Sequence, residues 1–214
     1  MTVMQTIPLP PDHAPLVLGA DTITVFDLEF TAWECSMASH WLRPGEFKEV
    51  IQIGAVRLDA ATFQILDEFE ILIRPRINAA LSPYIEKLTG ITDAMLASRG
   101  VDFESGYARF LAFAGDEPIC AFGHDEWVLE ENIRLYGLKQ MKTMPPFHDL
   151  RAWFAHHQVD PRGLLSCDIG PSLGVPFTGH AHNALDDARS VATGMEILAS
   201  RRAKLPPEPL APAA

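Results

Sequence analysis

The chain has 214 residues, 48% of them hydrophobic, with 17 basic and 28 acidic side chains and a formal net charge of -11. That length and apolar content suit one α/β domain with a sizeable core and leave two full domains cramped, while the acidic balance argues against a protein that grips nucleic acid mainly by counterion release. No apolar run approaches the roughly 20 residues needed to span a bilayer, Met1 to Pro15 lacks a positive region followed by an apolar one, and the widely spaced Cys35, Cys120 and Cys167 fit neither a disulfide framework nor a zinc site, so a reduced, cytoplasmic protein away from membranes is expected.

Residues 1 to about 20 contain prolines and no sustained period, and Leu205 to Ala214 is rich in Pro and Ala, so the folded unit should span roughly 21–204 between two extensions. Three β-type runs come first, Ile23 to Phe30, Val50 to Leu58 and Phe63 to Ile73, and the short Asp59-Ala60-Ala61-Thr62 link makes the second and third an antiparallel hairpin. The pattern turns helical from Pro83 to about Leu88 and again from Phe103 to Ala114, followed by a short buried strand at Ile119 to Phe122. Glu126 to Leu138 reads as a helix and Phe147 to Leu150 as a strand end. Leu185 to Ala199 is a closing helix with Leu185, Ala188, Val191, Met195 and Leu198 turned inward. The spacing predicts a mixed sheet with an antiparallel hairpin and later βα units.

Alternation along the first strand projects Asp27 and Glu29 from one face, about 7 Å apart, behind Ile23 and Val25. Two carboxylates this close in a partly buried sheet raise one another's pKa unless a divalent cation lies between them, and oxygen-only ligands suit Mg²⁺ or Mn²⁺; acidic pairs at strand ends also occur with no ion. Asp125 opens a helix, where a first-turn acid is favoured by the helix dipole alone. Its register with Leu129, Asn132, Ile133 and Tyr136 also puts it on the inward stripe, at the strand edge where open α/β sheets bind ligands. Between Gly179 and Ala188 a loop feeds the closing helix. Asp186 shares a polar face with Ser190, Thr193 and Ser200 and reads as solvated, whereas Asp187 aligns with Val191, Met195 and Leu198 and is the ligand candidate. His182 stands just ahead of that helix, and an imidazole of ordinary pKa near about 6.5 suits deprotonation of water near neutral pH. His180 reads as polar surface.

In chain order, Val25-Phe26-Asp27-Leu28-Glu29-Phe30-Thr31, then Ala121-Phe122-Gly123-His124-Asp125, then His182 with Asp187 five positions later resemble the three motifs of the DEDD superfamily of 3′-to-5′ exonucleases in its His-containing branch, the DnaQ-like exonucleases. The likeness runs from about residue 22 to 200. It implies a ribonuclease H-like fold: a mixed five-stranded sheet whose first three strands are antiparallel, flanked by helices. It also implies two divalent ions, Mg²⁺ or Mn²⁺, held by Asp27, Glu29, Asp125 and Asp187, with His182 as general base. Arg74-Pro75, Leu81-Ser82-Pro83-Tyr84, Leu88-Thr89-Gly90-Ile91-Thr92 and Ser172-Leu173-Gly174-Val175 are similar to the RNA-trimming exonucleases of the RNA-interference enhancer group, including bacterial KapD-like proteins. That implies single-stranded or 3′-overhang RNA as substrate, with DNA the alternative among relatives and a non-catalytic binding role the other. The loop from Ala32 to Lys48 is long for the pattern, and no Asn stands a few residues before Asp125. Phe30 and Thr31, next to Glu29, are candidates to meet a free 3′ end, and Trp33 and Trp41 to stack on bases. Phe30 alternates toward the core, and packing of the long loop is the competing role for both tryptophans.

Overall fold

The β-branched and aromatic residues of Thr22–Phe30 form strand β1, buried along almost all of its length on both faces. It pairs antiparallel with β2 (Val50–Asp59), which pairs antiparallel with β3 (Ile65–Leu72). On its other side β1 runs parallel to β4 (Ile119–Ala121), and β4 parallel to β5 (Phe147–Asp149). The sheet order is β3-β2-β1-β4-β5. This arrangement is a computed structural model describing residues 20–203; the expected N-terminal extension, but for Ala20, and the Pro/Ala-rich tail lie outside the described residues. Because β1 and β2 are covered on both faces, they read in sequence as near-continuous apolar runs. The outer strand β3 is mostly exposed and carries Asp67, Glu68 and Glu70, charges that discourage edge pairing with another chain.

Helices α1 (Ser36–Ser39), α2 (Pro83–Thr89), α3 (Asp93–Arg99), α4 (Phe103–Ala114), α5 (Asp125–Leu135), α6 (Leu150–His156), α7 (Ile169–Ser172) and α8 (Ala184–Ala203) complete the described fold, with a 3-10 turn at Ser166–Asp168. Two cores sandwich the sheet. Ile23 and Val25 of β1 face Leu150, Phe154, Ile169, Ala188, Val191 and Met195 on the α6, α7 and α8 side. Phe26 and Leu28 face Phe103, Tyr107, Phe110 and Leu129 on the α4 and α5 side. A smaller cluster of Ile51, Leu81, Ile85, Ile91 and Leu96 holds the α2–α3 pair.

Element boundaries move by a few residues from the sequence reading, and four short helices were not foreseen. Phe63 (φ 58) and Gln64 belong to the turn rather than the strand, because the Asp59 carboxylate accepts the Ala61 and Thr62 N–H groups and its carbonyl accepts from Phe63. α5 starts at Asp125 and ends by Leu135, where Gly137 (φ 68) turns the chain before Leu138. Leu150 begins α6 instead of ending a strand, since Asp149 caps it by accepting the Arg151 N–H at 3.0 Å. α1, α3, α6 and α7 span four to seven residues, too short for a 3.6-residue period to show. Among the described residues no helix is long and apolar enough to cross a membrane, and Cys35, Cys120 and Cys167 are free.

Candidate active site

Past Val25, the face of β1 that packs on α8 continues into Asp27 and Glu29, 9% and 7% exposed. In register, Asp27 lies opposite Gly54 and Glu29 opposite Gln52. A side chain on Gly54 would strike the backbone of Ala184 and Leu185, so glycine there lets the first turn of α8 rest directly on β2. The Gln52 Oε1 then accepts the Ala184 N–H at 3.0 Å, and Asn183 caps the helix by accepting from Leu185 and Asp186, both at 3.1 Å. One turn along, Asp187 is delivered to the β1 carboxylates, buried to 4% exposure. Its Oδ2 accepts the His182 N–H at 3.2 Å. His182 adopts φ 64, a left-handed backbone uncommon outside glycine, and ligand atoms of Glu29, His182 and Asp187 all fall within 4.8 Å of one another.

Asp125 arrives from the neighbouring parallel strand. β4 ends at Ala121, Gly123 (φ 145) turns the chain, and Asp125 is the first residue of α5. The helix is tied to β2 by Asn132, whose Oδ1 accepts the Val50 N–H at 3.0 Å and whose amide donates to the Lys48 and Val128 carbonyls at 2.7 and 2.8 Å.

Asp186 is not the solvated acid its helical face implied. It accepts the His180 N–H at 2.9 Å and pairs with Arg189 at 2.7 Å, its side chain only 17% exposed. The cause is the loop ahead of the helix, which folds back at Gly179 (φ 111) so closely that any side chain there would meet the Asp186 carboxylate.

Four carboxylates in one place cost free energy, and their pKa values are raised accordingly. Burial, then Asp125, Glu29 and Asp187, push Asp27 well above the usual carboxylate range; burial, then Asp187 and Asp125, do the same to Glu29. Burial first, then Glu126, raises Asp125 to about 7. Asp187 is also raised to about 7, mainly by burial, despite the His182 N–H. Among the described residues its buried Oδ1 has no hydrogen-bond partner, an expensive state for a carboxylate oxygen. An all-oxygen set with surplus negative charge and an orphaned oxygen fits hard divalent cations such as Mg²⁺ or Mn²⁺. Burial lowers the His182 pKa, as does neighbouring His180, against an upward pull from Asp168.

Asp27, Glu29, His182 and Asp187 open onto a cavity of about 530 Å³. Phe30, Trp33 and Trp41 line it, together with Tyr84, Leu88 and Leu165. Trp41 also packs the long loop: its indole N–H donates to the Thr31 carbonyl at 2.9 Å, and its ring lies 5.6 Å from Phe30. Phe30 sits at the margin of the α4 and α5 core as well. Thr31 is not brought to the cavity. Its hydroxyl donates to the Phe47 carbonyl and accepts the Glu49 N–H at 2.9 Å, and its own N–H donates to the Glu49 carbonyl.

Residues 24–194 match the sequence profile of the RNase_T family, described as exonucleases. The chain belongs to this exonuclease family. Among relatives, human ERI1 exoribonuclease 2 is 27% identical over 199 residues, covering 80% of this chain and 27% of that protein. Mouse 3′-5′ exoribonuclease 1 is 26% identical over 184 residues, covering 80% of this chain and 51% of that one. The chain thus spans between about a quarter and a half of the length of these relatives. Its fold superposes on the nuclease domain of 3′hExo, a DEDDh family member bound to rAMP, with a TM-score of 0.69 at 22% identity, over 89% of this chain and 96% of that one. Exonuclease I of E. coli in complex with a dA16 oligonucleotide gives 0.64 at 15% identity, over 86% and 42%. The expected membership of an exonuclease family and the ribonuclease H-like sheet are borne out. Three residues that shape the site were not foreseen from the sequence. Asn183 carried a signal, an Asn directly ahead of a helix; Gln52 and Ser166 carried none.

Proposed function

We propose that the chain is a metal-dependent 3′-5′ exoribonuclease that hydrolyses phosphodiester bonds from the 3′ end of single-stranded or 3′-overhang RNA and releases nucleoside 5′-monophosphates. The observation that carries this reading is the convergence of four carboxylates, Asp27, Glu29, Asp125 and Asp187, of which Asp27, Glu29 and Asp187 open with His182 onto an apolar cavity. The four carboxylates would hold the divalent ions, two in the family pattern. Such ions supply charge withdrawal from a scissile phosphate and acidify water. His182, its pKa lowered by burial, is neutral at neutral pH and takes the proton from the attacking water. The cavity volume lies within the range of small-molecule sites. Phe30, Trp33 and Trp41 provide apolar surface for the terminal nucleoside, while Thr31 holds the strand end in shape. RNA is favoured because the relatives matched over 80% of the chain are named exoribonucleases. The free cysteines support a reducing, cytoplasmic setting.

The experiment is time-resolved electrophoresis of a 5′-labelled single-stranded RNA and its DNA counterpart with Mg²⁺, with Mn²⁺ and with chelator, using the wild-type protein and Asp27→Ala. A metal-dependent RNA ladder shortening from the 3′ end, absent in the variant, is the expected result. Degradation of DNA alone would replace the RNA reading with a DNA-directed one, and inertness toward both would leave a binding role.

A further inference from the structure

Ser166 stands 139 residues from Asp27 in sequence, yet its hydroxyl donates to the Asp27 Oδ1 at 2.7 Å. Among the described residues it supplies the one side-chain hydrogen bond to that carboxylate; the other groups acting on Asp27 are the like charges of Asp125, Glu29 and Asp187. The contact is held in place from two sides. Ser166 opens the 3-10 turn, and Asp168 at the end of that turn accepts the Leu165 N–H at 2.9 Å, fixing the turn's entry. Ser190, buried on α8, then fastens the turn: its hydroxyl donates to the Cys167 carbonyl at 3.2 Å and accepts the Gly170 N–H at 3.1 Å. Ser190 lies one helical turn beyond Asp187, so the helix that delivers Asp187 to the site also sets the turn that reaches Asp27.

We infer that Ser166 is a positioning residue that orients the Asp27 carboxylate for divalent-cation binding, and that Ser190 holds Ser166 in place to do so. The inference rests on the metal-dependent reading of the four carboxylates. Partners of this kind fix a ligand's orientation, and their loss typically weakens metal affinity about 10- to 100-fold.

The test is Mn²⁺ binding to the full chain without nucleic acid, followed by electron paramagnetic resonance, for the wild type, Ser166→Ala, Ser166→Thr, Ser190→Ala and the double alanine variant. Ser166→Ala should bind Mn²⁺ about 10- to 100-fold more weakly while its metal-free melting temperature stays near that of the wild type. Ser166→Thr keeps the hydroxyl and should bind as the wild type does. Ser190→Ala should weaken binding in the same direction, and the double variant should bind no more weakly than Ser166→Ala, because both act through one contact. Wild-type affinity in Ser166→Ala, equal weakness in Ser166→Thr, or no Mn²⁺ binding by the wild type would overturn the inference. If Ser166→Ala fails to fold, Ser190→Ala carries the same test: weakened binding upholds the arrangement and wild-type binding overturns it. A wild type whose Mn²⁺ affinity depends on the Ser166 hydroxyl but which cleaves no RNA or DNA would refute the exonuclease reading and leave this one standing.

Discussion

Burial pushes the Asp125 and Asp187 carboxyls from the ordinary 3.8 up to about 7 in the folded chain, and Asp27 and Glu29 are raised as well. Between about 4 and about 7 the folded state holds protons on Asp125 and Asp187 that the unfolded state has released, so the stability these two groups contribute is complete below pH 4 or so and is lost as pH rises through about 7, and the raised pKa values of Asp27 and Glu29 act in the same direction. The lowered pKa of His182 pulls the other way, but it is one group against four. In chelator the melting temperature should therefore fall from pH 5 to pH 8, Asp187→Asn should flatten that slope, and Mn²⁺ should reverse it; a melting temperature that rises over this interval in chelator would refute the electrostatic description. His182→Ala should lower single-turnover cleavage on the order of 10²- to 10⁴-fold with RNA binding retained, and near-normal turnover would remove His182 from the chemistry. Asp27, Glu29, Asp125 and Asp187 could be singled out because strand alternation and helical register each assign a side chain to a face, whereas His182 was singled out by its place just ahead of the closing helix. Ser166 was not, since a half-buried serine in a turn carries no periodicity and its partner is 139 residues away. Asp186 was misread because a helical face says nothing of a preceding loop that folds back onto it.

At the scale of elements, the site depends on how closely α8 approaches β2. Gly54 permits that approach, and Gly54→Ala must displace the backbone of Ala184 and Leu185. Overpacking of this kind costs about 1–3 kcal/mol, and it moves Asp187 away from Asp27 and Glu29. Urea unfolding should show the loss of stability, and Mn²⁺ titration a weaker site; a variant as stable and as metal-competent as the wild type would mean that α8 does not bear on the strand as described. The long elements were legible in sequence because each buries a face over two turns or more of helix or over both sides of a strand. α3 was not: Leu96 is its single fully buried residue, and its start is signalled only by Thr92 accepting the Met95 N–H. The close contact at Gly54 was equally invisible, since an isolated glycine in a strand does not announce which element will press against it.

For the whole molecule, the formal net charge of -11 constrains how a polyanion is held. With few phosphates gripped, the logarithm of RNA affinity against that of salt should have a slope no steeper than about -2, from about three contacts at about -0.7 each on a single strand; a slope beyond about -4 would reveal a basic track that the charge balance argues against. The sheet order β3-β2-β1-β4-β5 places the Asp27 and Glu29 strand between the hairpin and the parallel βα half, so the carboxylates from three separate motifs meet at its centre. The hairpin was readable from its short link and the βα units from alternating periods. The meeting point was not readable from spacing, and came from the resemblance of the three motifs. In the proposed function this meeting point acts on a free 3′ end. Its most direct test compares a linear RNA with its circularised form, in Mn²⁺, with chromatography of the products. Nucleoside 5′-monophosphates from the linear RNA and an intact circle are expected; cleavage of the circle, or release of oligonucleotides or 3′-monophosphates, would rule out hydrolysis from the 3′ end.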